Sequence, residues 1–195
     1  MKTLDQALSE LDLTAYPEAF VTAMRFILPH ETEFHHGAQG DYDHVRTENV
    51  PGDPGGQTRY GIDKASHPRV NIDGLDLDAA LAIYWKEWLN HDLNELPDKL
   101  AIAAFDVWVN GGHANVWLQH ACNETNAPDD EELTEDGNLG PASIAALAAC
   151  DQDAVLRVFL EQRQARFATL ARKLNYAQFL DGWTNRNEDL AALLA

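Results

Sequence analysis

The sequence predicts a mainly α-helical protein with one small irregular or β-hairpin segment after its first long helix. Three observations point there. Apolar residues return at three- and four-residue spacing over most of the 195 residues. The two-residue alternation that a large sheet needs is missing. One interval of about thirty residues, Thr32 to Gly61, loses the helical period and collects Gly37, Gly40, Gly52, Gly55, Gly56 and Gly61 with Pro51 and Pro54.

Tyr16-Pro17 precedes Glu18, Phe20, Met24, Ile27 and Leu28 at helical spacing, with the proline near the first turn, where its missing N–H costs little. This helix is expected to end between Pro29 and Glu31. The Gly- and Pro-rich interval that follows is longer than a compact domain carries without functional reason. Asp76 and Asp78 then open a helix that returns Leu77, Leu81, Tyr84, Trp85 and Trp88 to one face. Pro97 starts the next, and Leu100, Ile102, Ala104, Phe105, Trp108 and Val109 make it apolar all round, as a central buried helix is. Gly111-Gly112 stops it, and Val116 to Cys122 resumes as another. An acidic loop, Asn126 to Gly140, leads to a helix over Pro141–Ala149. Asp151 is placed to cap a long helix carrying Val155, Phe159, Phe167 and Leu170, and a last segment ends in Leu190–Leu194. No repeat or low-complexity linker interrupts the chain, so residues 1–195 read as a single domain, with a first part at about 17–70 and a second at about 76–195.

Charge narrows the partners. Asp and Glu number 32 against 14 Lys and Arg, a formal charge of −18, which argues against a nucleic-acid binder and against general adhesion to an anionic membrane. No run of about 18 apolar residues is long enough to span a bilayer. The segment MKTLDQALSELDL has acids where a signal peptide needs a basic and then an apolar region, so synthesis in the cytoplasm without such a signal is expected. Cys122 and Cys150 make at most one disulfide and read as a buried reduced pair. No Lys or Arg falls between Lys99 and Arg157, while Arg157, Arg163, Arg166, Arg172 and Lys173 gather in one later helix; solvated faces with a few cross-helix ion pairs account for both.

Polar residues concentrate in the irregular interval, where five of the eight His lie between positions 30 and 67. A zinc-protease helix needs its second His four residues after the first, and His35 follows His30 by five. A loop site from His35, His36 and Asp41 or His44 is the remaining metal option, and no metal is expected. No nucleophile elbow and no phosphate-binding glycine loop is present. Carboxylates remain. Glu31 closes an apolar helix where Ile27, Leu28 and Phe34 are placed to shield it, and a shielded carboxyl resists ionisation, as a general acid near neutral pH must. Asp53 and Thr58 follow in the Gly-rich turn, where a carboxylate and a hydroxyl can hold one water. Acid, opposing carboxylate and water are the parts of glycoside hydrolysis. On these residues alone, a Glu ending a helix reads more readily as structural or solvated.

The runs Phe26-Ile27-Leu28-Pro29-His30-Glu31 and Asp53-Pro54-Gly55-Gly56-Gln57-Thr58-Arg59-Tyr60-Gly61-Ile62 resemble the glycoside hydrolase family 108 muramidases of phages and bacteria. Ala82-Ile83-Tyr84-Trp85, Phe105-Asp106 with Val109-Asn110-Gly112, Leu118-Gln119, Asp136-Gly137 with Gly140-Pro141, and Gly182-Trp183 with Arg186 follow in the family's order, so the likeness spans roughly residues 20 to 190. It implies a lysozyme-like helical fold, a first helix that delivers the catalytic Glu, and a C-terminal half similar to the family's peptidoglycan-binding segment. Glu31 matches that Glu, ahead of the neighbouring Glu33. Asp53 and Thr58 stand where related phage lysozymes place a second carboxylate and a Thr. The sequence departs from the family in one place. The Gly-Gly-Tyr expected after the Glu is replaced by Thr32-Glu33-Phe34-His35-His36, and some dozen additional residues precede the Asp-Pro-Gly-Gly turn. Gly40-Asp41-Tyr42 is placed to supply the displaced Tyr, and Asp41 and Asp43 become substitutes for the second carboxylate.

The resemblance therefore implies an endolysin-type N-acetylmuramidase that cuts the β-1,4 bond between N-acetylmuramic acid and N-acetylglucosamine. Glu31, Asp53 and Thr58 would be catalytic, and Tyr42, Tyr60 and Asn110 would face the sugar. No cofactor is implied. The partner is the glycan strand of peptidoglycan, met by a monomer at the cell wall after release. Structural alternatives stand beside these roles: Asp53 bracing its turn, Thr58 in a hairpin hydrogen bond, and Trp85, Trp88 and Trp108 in the core. Two other functions share the pattern, a peptidoglycan-binding domain that does not cut and a chitinase-like glycosidase.

Overall fold

Eight α-helices, two single-turn 3-10 helices (Leu93–Glu95 and Ala177–Phe179) and a two-stranded hairpin make up the regular structure of the described residues, which in this computed structural model are 1–32, 34, 40–49, 54–125, 132–173 and 176–195. They group into two units, Met1–Asn90 and His91–Ala195. The sequence reading treats the chain as one domain; the division falls after the third helix.

In the first unit, α1 (Leu4–Ser9) is an element the periodicity did not announce, because six residues are too few to show it. Its signal is local: the Thr3 hydroxyl accepts from the Gln6 amide and the Gln6 side chain accepts from the Thr3 amide, a reciprocal cap. Helix α2 (Glu18–His30) buries Phe20, Met24, Ile27 and Leu28 completely. It ends where expected, since Pro29 has no N–H for the Arg25 carbonyl and its ring crowds that turn. Helix α3 (Leu77–Asn90) packs on α2 through aromatic rings. Phe20 lies 5.1 Å from Trp85 and 5.6 Å from Trp88, both edge-on, the arrangement ring quadrupoles favour. Between them, β1 (Thr58–Arg59) and β2 (Ile62–Asp63) pair antiparallel with Thr58 opposite Asp63, the small hairpin expected after the first long helix.

The second unit holds α4 (Asp98–Val109), α5 (Ala114–Thr125), α6 (Pro141–Ala149), α7 (Gln152–Lys173) and α8 (Leu180–Leu194). Every residue of α4 from Leu100 to Val107 is buried, so more than two full turns are enclosed on all sides and it is the central helix. The Asp151 carboxylate accepts from the Asp153 and Ala154 amides and caps α7 as expected. Trp117 on α5 meets Phe159 on α7 edge-on at 5.9 Å, and the Gln162 side chain donates to the Trp117 carbonyl at 3.1 Å.

The core of this unit also encloses charge. Asp106 of α4 accepts from Arg186 Nη2 of α8 at 2.6 Å on one oxygen, and Arg163 Nη2 of α7 stands 2.6 Å from the other. All three are buried. Arg163 also lies over the Phe167 ring at 5.2 Å. The sulfurs of Cys122 on α5 and Cys150 at the end of α6 are 2.8 Å apart. Trp88 joins the core of the first unit, while Trp108 is half-buried and stacks on His91 at 3.9 Å. Among the described residues no helix is long and apolar enough to cross a membrane.

Candidate active site

Glu31 is held from two directions. Along the chain it is the residue at which α2 stops, with its N–H still bonded to the Ile27 carbonyl at 3.0 Å. Ile27 and Leu28 are fully buried, so the last apolar turn anchors a Glu that is itself half-exposed. From the other direction comes the hairpin turn. A Cβ on Gly61 would lie 2.7 Å from Glu31 Cβ and 2.6 Å from the Tyr84 hydroxyl, so the turn approaches this closely only because position 61 has no side chain.

That turn has positive φ at both central residues, 54° at Tyr60 and 76° at Gly61, the type I′ geometry whose twist suits a two-residue hairpin. Glycine adopts it freely; a tyrosine there is strained and needs the surroundings to hold it. Two hydrogen bonds do so. The Tyr60 hydroxyl donates to the Tyr42 carbonyl at 2.7 Å, and the Tyr84 hydroxyl donates to the Tyr60 carbonyl at 2.8 Å. The hairpin tip is thereby tied to α3 and to residue 42 while it touches Glu31.

Tyr42 and Tyr60 are 0% and 1% exposed. Burial gives them a bracing position beneath the turn instead of the sugar-facing one the sequence suggests. The same burial pushes both phenols above their ordinary range, the Tyr42 shift opposed by the neighbouring Thr32 hydroxyl and the Tyr60 shift by Arg59. Phe34, expected to shield Glu31, packs edge-on against the Tyr42 ring at 5.0 Å and fills the space beside Gly40. Tyr42 and Tyr60 also line a depression of about 240 Å³ with Glu10, Asp43 and Asp76.

The other expected participants are distributed as follows. Asp53 lies outside the described residues, as do Glu33, His35 and His36. Asp41 and Asp43, the substitutes for Asp53, both face Lys2: its amide donates to Asp41 at 3.2 Å and its ammonium stands 2.6 Å from Asp43. Burial raises the Asp41 carboxyl, but the Lys2 amide and His44 outweigh it and hold the group below the usual carboxylate range. Thr58 is half-buried, its hydroxyl donating to the Gly56 carbonyl at 3.5 Å and its backbone exchanging two 2.8 Å bonds with Glu48. Asn110 belongs to the second unit, where it ends α4 with its N–H on the Asp106 carbonyl at 3.0 Å. No three His, Cys, Asp or Glu side chains are grouped to hold a metal among the described residues. Gly61 and Tyr84 are the site residues that sequence reasoning did not single out. Their signal was the Tyr60-Gly61 pair between two short polar-apolar runs, a two-residue turn that needs glycine.

Residues 37–112 match the model of glycosyl hydrolase 108. This segment belongs to that family. Residues 113–188 match a second model, described as "Predicted Peptidoglycan domain". Together the two matches make this a glycoside hydrolase of the lysozyme type with peptidoglycan as its substrate class. The structure of SagA from Brucella abortus is similar over 91% of this chain and 94% of that one, with a TM-score of 0.66 and 22% identity, a likeness of fold. No curated protein matches the sequence. The matched boundary at residues 112 and 113 differs from the structural one after Asn90, because α4 lies in the hydrolase match yet forms the centre of the second unit. The hydrolase match also starts downstream of Glu31, in keeping with the altered segment that replaces Gly-Gly-Tyr.

Proposed function

We propose that this protein is an N-acetylmuramidase that hydrolyses the β-1,4 bond between N-acetylmuramic acid and N-acetylglucosamine, with Glu31 as the general acid. The observation that carries the reading is the seat of Glu31: a half-exposed Glu at the end of a buried apolar turn, touching a type I′ hairpin that three tyrosines lock in place. Catalytic groups work when held within a fraction of an ångström by a rigid support, and this Glu has one on each side. Glu31 protonates the departing glycosidic oxygen as the C–O bond breaks. Asp53, with Thr58 near it in sequence, orients a water on the opposite face, and Asn110 contacts the glycan. The role is that of an endolysin acting on the wall as a monomer.

Product chemistry tests the bond assignment. Sacculi digested with the protein, reduced with borohydride and read by mass spectrometry are expected to yield fragments ending in muramitol. Glucosaminitol ends would move the cut to the other linkage, and 1,6-anhydromuramyl ends would replace hydrolysis by intramolecular transfer. One observation favours a second reading, a domain that binds peptidoglycan without cutting it: the family match leaves out Glu31. Sedimentation with sacculi and no release of reducing ends would decide for it.

A further inference from the structure

The end of α7 and the start of α8 carry an aromatic cluster that the proposed chemistry does not use. Phe167 stacks on Trp183 at 5.4 Å, Trp183 lies 5.9 Å from Phe179, and Tyr176 meets Phe179 edge-on at 5.7 Å. Phe167 is buried and Trp183 half-buried, but Tyr176 is 44% and Phe179 48% exposed. Buried Phe167 and stacked Trp183 make a fixed floor, and the two exposed rings make its outer face. Contiguous apolar surface of this kind marks an interaction site.

Its charge setting is also distinctive. Arg172 and Lys173 form the last turn of α7, three residues before Tyr176, and both are exposed. Neither makes an ion pair among the described residues. In a chain of −18, this is a local cationic edge beside an aromatic face. A β-linked hexosamine offers the complement of the first feature, a ring face of C–H hydrogens that rests on the negative face of an aromatic ring, with hydroxyls in reach of tyrosine and indole donors. The stem peptides on muramic acid offer the complement of the second, their carboxylates.

We infer that Tyr176, Phe179 and Trp183 form a docking platform for the glycan strand of peptidoglycan, with Arg172 and Lys173 engaging the carboxylates of its stem peptides. The inference rests on the peptidoglycan reading above, and the platform lies within the residues matched to the peptidoglycan domain. It holds the polymer at a surface of the second unit and takes no part in bond cleavage.

The test is binding of the full chain, on ice, to purified sacculi. The double variant Tyr176→Ala/Phe179→Ala should bind about tenfold more weakly than the parent, as loss of two ring contacts implies. Leu89→Ala, which removes an exposed apolar side chain in the first unit, should bind like the parent. Arg172→Gln/Lys173→Gln should weaken binding to intact sacculi but not to sacculi stripped of stem peptides by an amidase, on which the aromatic variant remains weak. A parent that binds and cuts sacculi while the aromatic variant binds equally well overturns the platform and leaves the hydrolase reading standing. A parent that neither binds nor cuts overturns both. An aromatic variant that loses only phosphatidylglycerol vesicles marks a membrane surface, and one that only turns a dimer into a monomer marks self-association; either result overturns the inference.

Discussion

Replacing Gly61 by alanine would put a methyl group 2.7 Å from Glu31 Cβ and 2.6 Å from the Tyr84 hydroxyl, on a backbone with φ of 76°. We expect Gly61→Ala to lose about 1–3 kcal/mol in urea denaturation and to lower activity beyond that loss, since the atom it displaces belongs to the proposed acid. Tyr84→Phe keeps the ring but leaves the buried Tyr60 carbonyl without its donor, at a cost of about 1 kcal/mol. At this scale the sequence told part of the story. That α2 stops at Glu31 was legible, because Pro29 has a fixed local consequence. That the Tyr42 and Tyr60 rings are buried was not, because the left-handed backbone at Tyr60 and its hydrogen bonds to Tyr84 and to residue 42 decide where the hairpin tip packs, and no spacing rule encodes that.

Among the elements, α4, α7 and α8 are joined by a carboxylate shared between two arginines, and the asymmetry of that cluster makes a prediction. Asp106→Asn leaves both guanidinium groups buried without an anion and should cost about 3–5 kcal/mol in denaturant unfolding, whereas Arg163→Met leaves one balanced pair and should cost less. The pH dependence has a definite sign. Burial raises the Asp106 carboxyl, but Arg186 and Arg163 outweigh it and hold it below its unfolded value. A depressed carboxyl contributes stability at pH values above its unfolded pKa and loses it as pH falls through the folded one. The melting temperature should therefore be flat near neutrality and fall below about pH 4, with part of that fall absent in Asp106→Asn. The elements themselves were readable from period and caps: the all-apolar α4 and Asp151 at the start of α7 both match their expectation. The partner of Asp106 was not readable, since Arg186 is 80 residues away and only the tertiary packing brings it there.

For the whole molecule, the net charge of −18 sets a condition on the substrate. Peptidoglycan carries carboxylates, so long-range repulsion opposes approach until salt screens it over about 10 Å near 0.1 M. Wall-clearing activity should rise with ionic strength over the low-salt range; a steady fall from the lowest salt would show that the cationic edge at Arg172 and Lys173 governs encounter instead. The most direct measurement is turbidity clearing of purified cell walls by Glu31→Gln beside the parent, with melting temperatures recorded for both. The variant should fold as the parent does and clear nothing. A folded Glu31→Gln that clears walls at the parent's rate would show that Glu31 is not the acid.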